Sequence, residues 1–232
     1  MSNAPQVVVL AAGLGSRLAK PFPKPLTPLH GTGTSIMQQQ MDHLSTVFPD
    51  CWVCVVVGFK KDLIMEAFPD VLYVYNEDYS DTNTSKSLLK ALRGTRDGGV
   101  IWLNGDVVFE QGVLELLRPH VEADESVVCV DHAAVGEEEV KYTVDDDGYI
   151  AELSKQVTGA LGEAVGINYV SSADKPALIR RLAECDDNDY FERGIELAIQ
   201  HDGVRFRPVD ISKYAAVEVD FAADLDRANR IF

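Results

Sequence analysis

The chain has 232 residues, 46% of them hydrophobic, and 21 basic against 37 acidic side chains give a net charge of −16. That balance argues against a nucleic-acid groove or a docking site on an anionic membrane, because the long-range field repels polyanions. No apolar run approaches the roughly 20 residues of a bilayer-spanning helix, and the uncharged residues 1–4 resemble neither a secretory signal nor a lipid anchor, so a cytoplasmic protein is expected.

In chain order, the apolar run at 6–10 predicts a buried strand. It opens into Ala11-Ala-Gly-Leu-Gly-Ser-Arg-Leu18, a loop with two glycines and Arg17, which continues through Lys20-Pro-Phe-Pro-Lys-Pro-Leu-Thr-Pro28. Prolines 21, 23, 25 and 28 hold this segment extended. Thr34 or Ser35 caps a helix with apolar residues at 36, 37, 41, 44 and 47. A strand is expected at 51–57, a short helix at 60–68, a strand at 71–75, a helix at 85–93 and a strand at 100–103 that runs into Asn104-Gly-Asp106. A helix at 110–117 and a strand at 127–130 follow. Strands alternating with helices indicate an α/β fold, Rossmann-like, with a mainly parallel sheet flanked by helices. The second half is richer in strands. Asp145-Asp-Asp-Gly148 between the runs 139–144 and 149–153 signals a β-hairpin, whose exposed edge could pair with a second copy to give a homodimer. Then come a strand at 165–170, helices at 175–184 and 190–200, strands at 204–209 and 216–219, and a closing helix at 224–231. Without a linker or repeat, 1–232 reads as one domain, with a nucleotide-binding half over about 5–130 and an acceptor-binding half over about 131–232.

Cys51 and Cys54 have CxxC spacing but run into Val55-Val-Val57, so burial in a strand is favoured over a redox or zinc site. The five histidines show no ligand spacing. The loop after the first strand is more informative. Glycines that let backbone approach a ligand, amide donors and three cations at 17, 20 and 24 suit a polyphosphate, here a nucleoside triphosphate. A Walker A loop is excluded, since no Lys-Ser or Lys-Thr pair follows the glycines. A dinucleotide fingerprint is excluded as well: Leu18 occupies the third small position, and the helix starts only near residue 35. Asp106, just past a buried strand, lies where open α/β sheets bind ligands.

Leu10-Ala-Ala-Gly-x-Gly-x-Arg-Leu18 followed by Pro23-Lys-Pro-Leu26 resembles the signature of nucleotidylyltransferases that act on sugar-1-phosphates and related phosphorylated small molecules. Asn104-Gly-Asp106, the stretch from Val144 to Lys155, and Glu218-Val-Asp220 with the helix after it are similar to later motifs of the same family. Asn76-x-x-Tyr79-x-x-Thr-Asn83 running into Ser87-Leu88 is similar to the cytidylyltransferases that use phosphocholine, aminoethylphosphonate or inositol phosphate. The resemblance implies transfer of CMP from CTP to a small phosphorylated or phosphonylated acceptor, with pyrophosphate leaving. It implies that Leu10, Ala11, Ala12, Gly13, Gly15, Ser16, Asn83 and Ser87 bind the nucleotide. Arg17 would clasp the β and γ phosphates, Lys24 would meet the α-phosphate in the transition state, and Asp106 and Asp220 would share Mg²⁺. Lys155 would steady the acceptor's phosphate. Trp102, Tyr142, Tyr190 and Phe191, with Glu192 or Asp189, form a candidate aromatic wall for a quaternary or primary ammonium, or else core.

Structural alternatives stand beside these roles. Asp106 could be a turn residue, Asp220 the N-cap of the last helix, and Thr82, Asn83 and Ser87 turn and cap residues. Other functions compatible with the motifs are a sugar-1-phosphate nucleotidylyltransferase using UTP, GTP or dTTP, a molybdopterin nucleotidylyltransferase, and a silent nucleotide sensor.

Overall fold

The computed structural model describes residues 4–15, 17–18, 20–30, 33–132 and 139–232. Its elements in order are β1 (Gln6–Ala11), a 3₁₀ turn (Lys24–Leu26), α1 (Ile36–Val47), β2 (Trp52–Val57), α2 (Lys61–Ala67), β3 (Leu72–Tyr75), α3 (Thr84–Gly94), β4 (Val100–Asn104), β5 (Val107–Phe109), α4 (Gly112–Glu122) and β6 (Val127–Asp131). There follow β7 (Lys141–Val144), β8 (Ile150–Ser154), β9 (Gly162–Val170), α5 (Lys175–Glu184), α6 (Phe191–Asp202), β10 (Arg207–Asp210), β11 (Ala216–Glu218) and α7 (Ala222–Ile231).

The main sheet runs β10-β6-β9-β4-β1-β2-β3. β1 is central and parallel to both β2 and β4, while β9 is antiparallel to β4 and β6. Because β2 and β3 lie on one side of β1 and β4 on the other, the chain reverses its winding between β1 and β4. The carboxyl ends of those strands therefore diverge and leave a crevice, the usual ligand position in an open α/β sheet.

Side-chain alternation along β1 divides the core in two. Val7, Val9 and Ala11 join Met37 and Leu44 of α1 and Val113 and Leu117 of α4 on one face. Val8, Leu10 and Ala12 join Leu88 and Leu92 of α3, Leu178 and Leu182 of α5, and Phe191 and Ile195 of α6 on the other. A third cluster holds Leu225 and Ala228 of α7 on Val217, Val219, Leu18 and Leu29, which fastens the end of the chain over the loop that leaves β1.

Several expectations change. Residues 24–26 form one 3₁₀ turn rather than continuing extended; Pro25 fits its start because no amide is required there. α4 continues through Pro119 to Glu122, beyond the expected stop at 117. β5 is additional, too short to show any periodicity. The hairpin does not project: β7 pairs with β9, Ile150 donates its amide to Phe206, and Leu153 donates to Glu196 of α6. Cys51 and Cys54 are half-buried free thiols on and beside β2, and burial raises both pKa values, as the strand interpretation requires. No helix among the described residues is long and apolar enough to cross a membrane.

Candidate active site

The loop after β1 and the turn after β4 meet over the crevice. Gly105 donates its amide to the Leu10 carbonyl at 2.9 Å, and a Cβ on Gly105 would lie 2.7 Å from that oxygen, so the close approach needs glycine. Gly15 adopts φ +60°, in the left-handed region, which turns the loop back along Lys24. The turn after β4 is pinned from behind by Gln40 of α1, fully buried, whose Nε2 donates to the carbonyls of Asn104 (2.9 Å) and Val107 (2.8 Å). The next three residues form β5, which pairs antiparallel with β11, placing Glu218 opposite Val107. One further bond, Val219 N to the Asp106 carbonyl at 3.0 Å, brings Asp220 beside Asp106.

The result is a cluster of opposed charges. The Lys24 ammonium donates to Asp106 at 2.8 Å and to Asp220 at 2.5 Å, and Arg17 reaches Asp220 at 2.6 Å. Burial works against the charge of Lys24, but the attraction of Asp106 and Asp220 outweighs it and raises its pKa, so the side chain stays an ammonium. Burial likewise disfavours the Asp220 carboxylate, and Lys24 and Arg17 overcome this and lower its pKa. Glu218 is pushed well above the usual carboxylate range by burial and by the negative charges of Asp106, Asp220 and Glu139.

Asp106, Glu218 and Asp220 present oxygens that all lie within 4.8 Å of one another. Hard carboxylate oxygens at that spacing fit a magnesium ion, whose charge would relieve their repulsion and favour the ionised form of Glu218. Glu218 has no place in the sequence assignment, although its signal was present: residues 218 and 220 share one side of an extended segment. Gln40 could not be found this way, since its partners are main-chain carbonyls more than 60 residues away.

A cleft of about 470 Å³ opens over this cluster. Leu10, Gly13, Gly15, Arg17, Lys24, Asn83, Asp106, Lys155, Tyr190, Glu192 and Asp220 all line it, so most of the expected site residues converge there. Ala11 borders a smaller adjoining recess. Ala12 is buried and accepts the amide of Phe59, away from the opening. Ser87 is turned inward as well, accepting a hydrogen bond from Asn76 at 3.0 Å. Ser16 lies outside the described residues. Asn83 is the N-cap of α3, accepting from the Thr84 amide at 2.8 Å, and it also borders the cleft. Asp220 does not cap α7; that position is Phe221, and the Asp224 carboxylate accepts the amides of Asp220 and Phe221. The Lys155 ammonium lies over the Tyr190 ring, 4.8 Å from its centroid. Trp102 and Tyr142 are sealed in the core and do not reach the opening.

Two cations thus meet the carboxylates over the crevice, an arrangement that suits an anionic ligand with a metal ion. Residues 7–183 match the MobA-like NTP transferase domain family, and the chain belongs to that family; it is a nucleotidyltransferase. A 2-aminoethylphosphonate cytidylyltransferase from Lancefieldella rimae is 28% identical over 97% of this chain and 90% of its own length. A CMP-5'-(3-aminopropyl)phosphonate synthase from Streptomyces rubellomurinus is 32% identical over 97% of this chain, which spans 38% of that longer protein. Among solved structures, the inositol-1-phosphate CTP transferase from T. maritima superposes with a TM-score of 0.79 at 16% identity, covering 100% of this chain and 96% of the other, and shares the fold.

Proposed function

We propose that the protein transfers the cytidylyl group of CTP to a small acceptor carrying a phosphonate or phosphate, with aminoalkylphosphonates the preferred class, and releases pyrophosphate. The observation that carries this reading is the Lys24 ammonium held between Asp106 and Asp220 at the mouth of the β1 loop. The relatives that align over 97% of the chain favour cytosine and a phosphonate.

The attacking oxygen of a phosphonate or phosphate is largely ionised near neutral pH, with a second pKa of about 6 for a phosphate ester, so no general base is required. The protein must instead bring two anions together and stabilise the charge that develops at phosphorus. The backbone around Gly13 and Gly15, with Arg17, would bind the leaving β and γ phosphates. Lys24 would turn from its carboxylates toward the α-phosphate, and since its pKa is raised it carries its proton throughout. Asp106, Asp220 and Glu218 would hold Mg²⁺, which when bound supplies positive charge to the phosphate oxygens. Lys155 would face the acceptor's phosphonate. Asn83, at the cleft rim, would meet the nucleotide. A cytoplasmic setting and a homodimer belong to the same reading.

The test is pyrophosphate release with each of CTP, UTP, GTP and dTTP against 2-aminoethylphosphonate, 3-aminopropylphosphonate, phosphocholine, inositol phosphate and glucose-1-phosphate. CTP with an aminoalkylphosphonate should give the highest kcat/KM. Turnover confined to a hexose-1-phosphate would refute the proposal.

A further inference from the structure

Glu192 is the charged group of the cleft whose own structure accounts for it least. It sits in the first turn of α6, only 7% exposed, yet it borders the opening. Its Oε2 has no hydrogen-bond partner among the described residues. A buried polar atom left in this state destabilises the fold, so a ligand that supplies a donor there recovers free energy. Burial pushes the carboxyl up to about 7, repulsion from Glu196 adds to this, and its own amide and Lys155 oppose it.

The surroundings indicate which donor fits. A quaternary ammonium has no N–H and is held by the faces of several aromatic rings. Of the rings that border the cleft, Phe221 lies under Arg17, and those flanking Glu192 are already engaged. Trp102 and Tyr142 are 0% and 1% exposed, Phe191 packs edge-on against Trp102 at 5.6 Å, and the Tyr190 ring is already covered by Lys155 at 4.8 Å. A primary ammonium instead brings three N–H donors and a full positive charge. Lys155 and Glu192 thus stand together as a cation and a carboxylate, the complement of a short zwitterion.

We propose that Glu192 is a specificity-determining residue that accepts a hydrogen bond from a primary ammonium at the far end of the acceptor, with Lys155 facing its phosphonate. The acceptor is then a short ω-amino phosphonate or phosphate with a free amine, and its N-trimethylated counterpart is rejected. This rests on the cytidylyl-transfer reading above. The amino group of cytosine is a competing donor, since Phe191 donates its amide to Thr84 on the nucleotide side of the cleft. It is neutral, however, and adds no charge to complement the buried carboxylate once Lys155 faces the phosphonate.

The experiment compares 2-aminoethylphosphonate, its N,N,N-trimethyl derivative and ethylphosphonate on the unaltered protein, Glu192→Gln and Glu192→Asp. Both turnover with CTP and calorimetric binding, with and without CTP, are measured. The unaltered protein should favour the free amine over the trimethyl compound roughly 30-fold, and Glu192→Gln should lose about that factor on the amine alone. Glu192→Asp, which keeps the charge, should recover part of it. An equal loss on all three probes, a preference for the trimethyl compound, or weakened CTP binding in Glu192→Gln would each overturn the assignment. Preferential binding of the amine without pyrophosphate release would uphold the subsite and overturn cytidylyl transfer; release without any preference would do the reverse.

Discussion

Lys24 and Asp220, separated by 196 positions in sequence, meet at 2.5 Å, and the same ammonium holds Asp106 at 2.8 Å. Lys24 thus occupies the space that a metal ion and a phosphate would share between the two aspartates. Its charge offsets the mutual repulsion of the two carboxylates and holds them together.

Replacing Lys24 by Met should lower kcat by about 10²–10³-fold, the cost typical of removing one preorganised transition-state contact. Binding of Mn²⁺ alone should tighten at the same time, because the competing ammonium is gone. Electron paramagnetic resonance titration of Mn²⁺ without nucleotide reads this directly. Unchanged turnover would remove Lys24 from the chemistry.

Asp106→Asn and Asp220→Asn should each raise the Mg²⁺ concentration needed for half-maximal turnover, and binding of Mg-CTP should weaken in both. Glu218→Gln should have a smaller effect, since the Glu218 pKa is already raised and it contributes less negative charge. The measurement is turnover against Mg²⁺ at fixed CTP. Identical metal curves in all three variants would place the ion elsewhere.

Glu192 makes stability depend on pH in a defined direction. In the unfolded chain a glutamate loses its proton near pH 4.3, whereas in the fold the carboxyl is raised to about 7 and keeps it longer. Between those values the folded state binds more protons, so this group's contribution falls as pH rises and levels off above 7. A shift of this size corresponds to about 4 kcal/mol. Glu192→Gln should flatten that slope in Tm against pH from 4.5 to 7.5. Because the bound amine requires the carboxylate, KM for the aminoalkylphosphonate should fall more steeply through the same window in the unaltered protein than in Glu192→Gln, where the acceptor's own ionisation at about pH 6 is left.

Gln40→Leu tests how Asp106 is positioned. The substitution keeps the volume roughly constant but leaves the buried carbonyls of Asn104 and Val107 without their donor, at about 1–3 kcal/mol each. Tm should drop and metal affinity should weaken, although residue 40 touches neither substrate. A lower Tm with unaltered metal affinity would limit Gln40 to a structural role.

The sequence by itself determined the parallel half of this protein. Runs such as 6–10 and 100–103 are apolar on both faces because strands between two helix layers have no solvent side, and the apolar spacing of α1 matches the face it buries. Spacing also singled out the loop of Gly13, Gly15, Arg17 and Lys24 as a candidate site, because these residues lie within one short stretch. The second half was less legible. β5 is three residues long, and β9 enters antiparallel between β4 and β6, an order that depends on non-local pairing. The same holds for the site. That Asp106, Glu218 and Asp220 converge follows only from the β5–β11 ribbon, and that Ser87 turns inward follows from its bond to Asn76. Whether Glu192 is solvated or buried beside Lys155 was likewise decided by how α6 packs on β8. Local pattern records what each segment needs to bury, whereas the partner a charged side chain finds across the chain is set by tertiary pairing.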